Sequence, residues 1–252
     1  MTSNTVGIVC ALAAEARHLG PVRSAARPIL SLADGTLLTV SGMGAAAATS
    51  GARALVDAGA RALASWGMAG GLDPSLAAGT VVLPMEIVSS EGAVFNTSGS
   101  WRQDLASAVA PRVTVISGRL LSMPGAVASV AAKAALLRET GAVAVDMESA
   151  SVAAVAAAFR LPFLAVRVIV DAATDTLPSC VAAAADQQGH LRLLKLIAAL
   201  ARAPGELGPL FTLARRYRVA NRSLAALART GSLVPCAFSA AVQGTRCAAR
   251  QS

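Results

Sequence analysis

Apolar and polar positions fall in blocks along the chain, and the blocks alternate between strand length and helix length. VGIVCAL (6–12) is an unbroken apolar run suited to a strand buried on both faces, and the polar stretch AAEARHLG follows it. TLLTVSG (36–42) predicts a second strand. It ends in Ser41-Gly42-Met43-Gly44 and leads into an Ala-rich helix, AAAATSGARALVDAGA. RALASWG (61–67) predicts a third strand, running into a glycine loop over 68–74. Strand character returns over 80–90 and 113–118, and a helix is expected from about 125 to 139, closed by Gly141. AVAVDMES (142–149) reads as strand then helix start, SASVAAVAAAF as that helix, and PFLAVRVIV (162–170) as a core strand ending at Asp171. Two helical stretches, 180–202 and 207–229, precede a tail expected to be loosely held.

This alternation predicts a single α/β domain: a central mixed, mostly parallel sheet flanked by helices, with a helical C-terminal extension. The catalytic domain is expected over 1–205, and the basic extension and tail over 206–252. A chain of 252 residues can bury a core without metal or disulfide support. With 55% hydrophobic but only 3% aromatic residues, that core must be built from Ala, Val, Leu and Ile. Ligands of such sheets sit outside the carboxyl ends of the strands. The polar groups falling there are Glu15, Ser41, the Gly70-Gly71 segment, Glu148 and Asp171.

Cysteine and charge narrow the class. Cys10, Cys180, Cys236 and Cys247 show no CxxC spacing, which favours reduced thiols in a cytoplasmic protein over disulfides or zinc. His18 and His190 are too few and too distant for a histidine-based metal site. The amino terminus has no basic region ahead of its apolar run and is not read as a signal peptide. The apolar stretch 143–172 carries Asp146, Glu148, Arg160, Arg167 and Asp171, so no bilayer span is expected. The net charge of +8 is concentrated at the end: residues 192–252 hold ten Lys or Arg against Glu206 alone. No aromatic interleaving accompanies that charge, so nucleic acid is not expected as a partner.

Asp171 follows AVRVIV and precedes the small-residue loop AATDTLP. A carboxyl partly withdrawn from water at such a strand end can hold a proton and donate it; capping of the next turn is the alternative. Glu148 stands at a strand-to-helix junction, where it could accept hydrogen bonds from a ribose diol or merely favour the helix dipole. Glu15 has the same ambiguity. Ser41-Gly42-Met43-Gly44 could present N–H groups to an anion but lacks the full dinucleotide fingerprint, and GMAGGLDP lacks the lysine and hydroxyl of a P-loop. No serine-centred nucleophile elbow occurs.

Four segments resemble the nucleoside phosphorylase and methylthioadenosine/S-adenosylhomocysteine nucleosidase superfamily: GIVCALAAEA (7–16), SGMGAAAATSGARAL (41–55), WGMAGGLDPSLAAGTVV (66–82) and AVDMESASVAAVAAAFRLPFLAVRVIVDAATD (144–175). The last, VDMES followed by VRVIVD, is the most specific. The resemblance implies a nucleoside phosphorylase-like fold and cleavage of the bond between a purine and a ribose. It implies Asp171 as the acid protonating purine N7, Glu148 as the carboxylate gripping the ribose hydroxyls and Met147 as the residue packing beneath the sugar. It further implies Glu15 as the group positioning the attacking water. Met68, Ala69, Gly70 and Val170 would lie beside base and ribose, while Arg167 would hold the catalytic strand. Ser41, Gly42, Gly44 and Arg167 are the possible phosphate or structural residues, with Arg17 and Arg53 as the other candidate cations, should inorganic phosphate be a co-substrate; no other cofactor and no metal is implied. The sequence departs from the family where Val170 replaces a small hydroxyl residue, Met68 a serine, and Ala13 and Ala14 acidic neighbours of Glu15.

A narrower resemblance links KAALLRETGAVAVDMES, VRVIVDAATDTLP and the Leu/Arg-rich extension to the hopanoid-associated phosphorylases. It implies release of adenine from adenosylhopane in hopanoid biosynthesis; methylthioadenosine/S-adenosylhomocysteine nucleosidase or purine nucleoside phosphorylase is the alternative. In the segment 207–229, Leu210, Leu213, Ala214, Tyr217, Leu224 and Leu227 share one helical face flanked by arginines. Such a helix could lie peripherally on the inner face of an anionic membrane, or pack on its own domain. A homodimer is the expected assembly.

Overall fold

The structure is a computed structural model that describes residues 5–21, 29–110, 112–176, 205, 207–230 and 233. The elements run in the order β1 (Val6–Cys10), α1 (Ala13–Ala16), β2 (Leu30–Ser31), β3 (Leu37–Val40), α2 (Ala45–Asp57), β4 (Ala62–Gly71) and β5 (Val81–Val82). They continue with β6 (Glu86–Ser89), β7 (Val94–Asn96), α3 (Gly99–Val109), β8 (Val115–Ile116), β9 (Arg119–Ser122) and α4 (Val130–Thr140). β10 (Ala142–Asp146), α5 (Ser149–Ala158), β11 (Phe163–Asp171) and α6 (Leu207–Ala228) complete the described fold.

All strands join one mixed, mostly parallel sheet, as the alternation of runs predicts. β1 pairs in parallel with β3 and β4, and β4 with β11. β10 meets the end of β4 antiparallel and continues in parallel to β9, which pairs with β6. Helices cover both faces. On one, Ala48, Ala52 and Leu55 of α2 pack with Val152, Ala153 and Ala156 of α5. On the other, Trp101 and Leu105 of α3 join Ala220, Leu224 and Leu227 of α6 against Ile8, Ala64, Val166 and Val168. Alanine dominates the α2–α5 face, the composition expected of a core poor in aromatic side chains.

Several boundaries differ from the sequence reading. The segment 68–74 is not a glycine loop at its start, because Met68–Gly71 continue β4 and pair with β11 and β10. The run 80–90 is two strands, broken around Pro84, which has no N–H for a ladder. β5 pairs with β11, whereas β6 pairs with β9, so one apolar run serves two places in the sheet. The helix expected from 125 begins at Val130, where the Ser129 hydroxyl accepts the Ala132 N–H, and it ends at Gly141 in the left-handed conformation. The helix expected over 180–202 lies outside the described residues. α6 is present and docks on the domain through its C-terminal half. Leu233, in the tail expected to be loose, is buried, and its carbonyl accepts the Trp101 Nε1–H at 3.1 Å. Among the described residues, no helix is long and apolar enough to cross a membrane.

Candidate active site

The site arises from a gap in strand pairing. β1 accompanies β4 as far as Cys10 opposite Trp66, while β10 takes up the same strand only at Val145 opposite Gly70. Between these pairings, the β4 backbone at Met68 needs another acceptor, and Glu15 supplies it. α1 turns Glu15 back toward the sheet, where Oε1 accepts the Met68 N–H at 2.9 Å and Oε2 the Leu12 N–H at 3.2 Å. A Cβ at Gly67 would lie 2.8 Å from Glu15 Oε1 and 3.0 Å from Arg167 Nη1, so only glycine fits that approach. Glu15 is 5% exposed. Burial raises its pKa from an ordinary value near 4.5 to about 7, against the opposing pull of Arg167 and of the Met68 N–H.

Glu148 follows β10 and stands at the start of α5. Its Oε1 accepts the Gly44 N–H at 3.0 Å, and its Oε2 lies 3.9 Å from Arg167 Nη2. Burial, then the charge of Asp146, push its pKa up. Arg167 projects from β11 beneath both glutamates and is 2% exposed. Its Nε donates to Asp146 Oδ2 and its Nη2 to Ser65 Oγ, each at 2.7 Å. Burial opposes its charge, but Asp146, Glu148 and Glu15 outweigh that and hold the guanidinium as a cation. Asp146 also accepts the Ser122 hydroxyl at 2.7 Å and the Ser149 N–H at 3.0 Å, which ties the end of β10 to β9 and α5. The buried charges are therefore paired and hydrogen-bonded rather than isolated.

Asp171 ends β11 across a one-residue slip in register: Ile169 pairs with Ala69, Asp171 with Gly70, and Val170 is the extra residue. Such a bulge re-aims side chains. The Asp171 carboxyl faces Gly70 and is bound by the ammonium of Lys133, a residue of α4 with no exposed surface.

Glu15, Glu148 and Asp171 line one cavity of about 200 Å³. Met147, Met68, Ala69, Gly70 and Val170 line it too, so the structure brings these sequence-selected residues together. Arg167 lies behind the wall. Ser41 and Gly42 are not among the described lining residues, and three N–H groups of the expected anion loop are already bound. The Gly44 N–H goes to Glu148, the Gly42 N–H to the Ala11 carbonyl and the Ser41 N–H to the Cys10 carbonyl. Sequence reasoning missed Lys133, Asp146 and the wall formed by Met43 and Gly125–Val127. Asp146 lay within the singled-out DMES block, and Lys133 was a lone cation in an apolar helical run. Among the described residues, no cluster of His, Cys, Asp and Glu could hold a metal ion.

The sequence matches the Phosphorylase superfamily over residues 5–202. No curated protein matches the chain. Among solved structures, it is similar to 5′-methylthioadenosine/S-adenosylhomocysteine nucleosidase from Neisseria meningitidis in complex with methylthio-immucillin-A. That match has TM-score 0.68 and 18% identity, covering 91% of this chain and 99% of that one. The nucleosidase from Helicobacter pylori is similar at TM-score 0.66 and 18% identity, covering 90% and 95%. Futalosine hydrolase of Helicobacter pylori follows at TM-score 0.61 and 18% identity, covering 89% and 97%. At these identities the structural likeness speaks to fold. Taken with the superfamily match over most of its length, it identifies the chain as a member of the phosphorylase superfamily of nucleoside-cleaving enzymes.

Proposed function

We propose that this enzyme hydrolyses the N-glycosidic bond of an adenine nucleoside. The observation carrying the proposal is the convergence of Glu15, Glu148 and Asp171 on one cavity. Breaking the C1′–N9 bond leaves cationic character on the ribose and an electron pair on the base. Asp171 gives its proton to purine N7, so the base departs neutral. Glu148 accepts hydrogen bonds from the ribose 2′ and 3′ hydroxyls, and its charge steadies the developing cation. Glu15, with a pKa of about 7, takes a proton from the water that attacks C1′. Met147 packs beneath the sugar, and Met68, Ala69, Gly70 and Val170 border the base.

Hydrolysis is favoured over phosphorolysis by the fate of the Ser41, Gly42 and Gly44 N–H groups, which serve the fold and Glu148. Methylthioadenosine and S-adenosylhomocysteine are natural candidate substrates, given the nucleosidases similar to this chain. Product analysis with and without inorganic phosphate tests the reading. Free ribose formed at a phosphate-independent rate supports it; ribose 1-phosphate formed only with phosphate contradicts it.

A second reading, adenosylhopane as substrate drawn from a membrane, is favoured by one feature of α6. Its first half leaves Leu207 58% and Phe211 74% exposed, near Arg215 and Arg218. Apolar side chains beside cations suit an anionic bilayer surface. Salt-sensitive sedimentation with anionic liposomes, lost on replacing Leu207 and Phe211 by Ser, supports this reading. Equal sedimentation of both proteins contradicts it.

A further inference from the structure

The mechanism above gives no role to the buried ammonium of Lys133. Lys133 sits in the first turn of α4 with 0% exposure, and an ammonium without water must find an acceptor for each of its three protons. It does. One goes to Asp171 Oδ2, one to the Ala172 carbonyl at 2.8 Å and one to the Asp175 carbonyl at 3.1 Å. The loop closes around it, because Asp175 Oδ2 accepts the Ala172 N–H at 2.8 Å and pairs with Arg216 of α6. A buried ion pair is seldom more stabilising than apolar residues of the same volume, so fold stability alone gives no reason for a lysine here.

The arrangement makes the two oxygens of Asp171 unequal. Oδ2 is occupied by Lys133. Oδ1 has no hydrogen-bond partner among the described residues and lies against Gly70, where an added Cβ would come within 3.3 Å of it. Val170, the neighbour in the chain, has no hydrogen-bonding side chain.

We propose that Lys133 is a positioning residue for proton transfer: it holds Oδ2, so that the carboxyl proton is carried on Oδ1 toward the departing base. This rests on the reading of Asp171 as the proton donor. Oδ1 takes up a proton from solvent through the cavity before each turnover; the C1′–N9 bond then breaks with its electron pair going to the purine, and that proton passes from Oδ1 to N7. The carboxylate left behind is met by a cation already in place. Lys133 keeps its own protons throughout. A fixed charge aimed where negative charge develops requires no reorganisation during the step.

The test uses full-length Lys133→Met, Lys133→Arg and Asp171→Asn proteins with two kinds of leaving group. One substrate is whichever of adenosine, 5′-methylthioadenosine and inosine the natural protein cleaves fastest. The other is 4-nitrophenyl β-D-ribofuranoside, whose nitrophenolate leaves without a proton. Lys133→Met is expected to lower kcat on the purine nucleoside roughly 100-fold, with KM and turnover of the nitrophenyl riboside within about threefold of natural. Lys133→Arg is expected to recover at least roughly tenfold of that loss. Equal losses on both substrates, or no loss on the purine, overturn the proposal. Should Lys133→Met not fold, the same comparison on Lys133→Arg decides: a purine-confined loss supports it, and an equal loss overturns it. Asp171→Asn separates the two readings. If Asp171→Asn is purine-selective and the Lys133 variants are not, only the role of Lys133 falls. If Asp171→Asn loses both activities alike, or no purine is released by the natural protein, the proton-donor reading falls and takes this inference with it.

Discussion

Arg167 sits between Asp146 and Glu148, its Nη2 2.7 Å from Asp146 Oδ2 and 3.9 Å from Glu148 Oε2, with almost no surface exposed. It is the one described cation facing Asp146, Glu148 and Glu15 together. Replacing it by Met leaves these carboxylates buried without a counter-charge, and the expected loss is about 3–5 kcal/mol of unfolding free energy. Lys in its place keeps the charge but cannot reach Asp146 and Ser65 through the same fork, so an intermediate loss is expected. Urea unfolding at pH 7 measures both. A loss below about 1 kcal/mol for Arg167→Met would show that the cation does not hold the acids together.

Glu15 makes stability depend on pH. Its folded pKa of about 7 lies above the ordinary 4.5, so the folded state binds the proton more tightly than the unfolded chain. The stability contribution of the protonated form is complete below about pH 4.5 and is lost as pH rises through 7, by about 3 kcal/mol in all. Glu15→Gln removes this slope. Denaturation of both proteins between pH 5 and pH 8.5 checks the sign; parallel curves contradict it. The same group places an ascending limb near pH 7 in kcat/KM, since its base form is the unprotonated one.

Glu148→Gln replaces a charged acceptor with a neutral one at the expected ribose contact. The charged hydrogen bond is worth about 1.5–3 kcal/mol, so kcat/KM should fall roughly 10- to 150-fold. A 2′-deoxynucleoside should show the coupling: its penalty with the natural protein should largely vanish in the variant. Undiminished discrimination by Glu148→Gln would place the sugar elsewhere.

Leu224 of α6 packs, fully buried, in the same core as Ala64 and Val166. Leu224→Ala should cost about 2–5 kcal/mol by thermal or urea unfolding. A negligible loss would mean that α6 is an appendage to the domain.

The architecture was legible because its signals are local. Apolar runs such as 6–10 and 163–170 can only be strands in so short a space, and VDMES with VRVIVD marked both the ribose-side acid and the strand-end acid. What could not be read depends on pairing between distant segments. No local property of Met68 shows that β1 stops beside Trp66 and leaves Glu15 to accept its N–H. Likewise, a lysine in VAAKAALL reads as a solvated helix residue until α4 is laid against the end of β11. The Ser41–Gly44 segment looked like an anion site for the same reason: the Ser41, Gly42 and Gly44 N–H groups are claimed by Cys10, Ala11 and Glu148, which only the tertiary fold brings near.

Asp171 carries the central claim, that an acid at the end of β11 protonates the leaving base. The most direct measurement is base release from a purine nucleoside under single-turnover conditions by the natural protein and by Asp171→Asn. The account predicts a fall of roughly two to four orders of magnitude in the cleavage rate, with nucleoside affinity little changed. Cleavage by Asp171→Asn at close to the natural rate would contradict it.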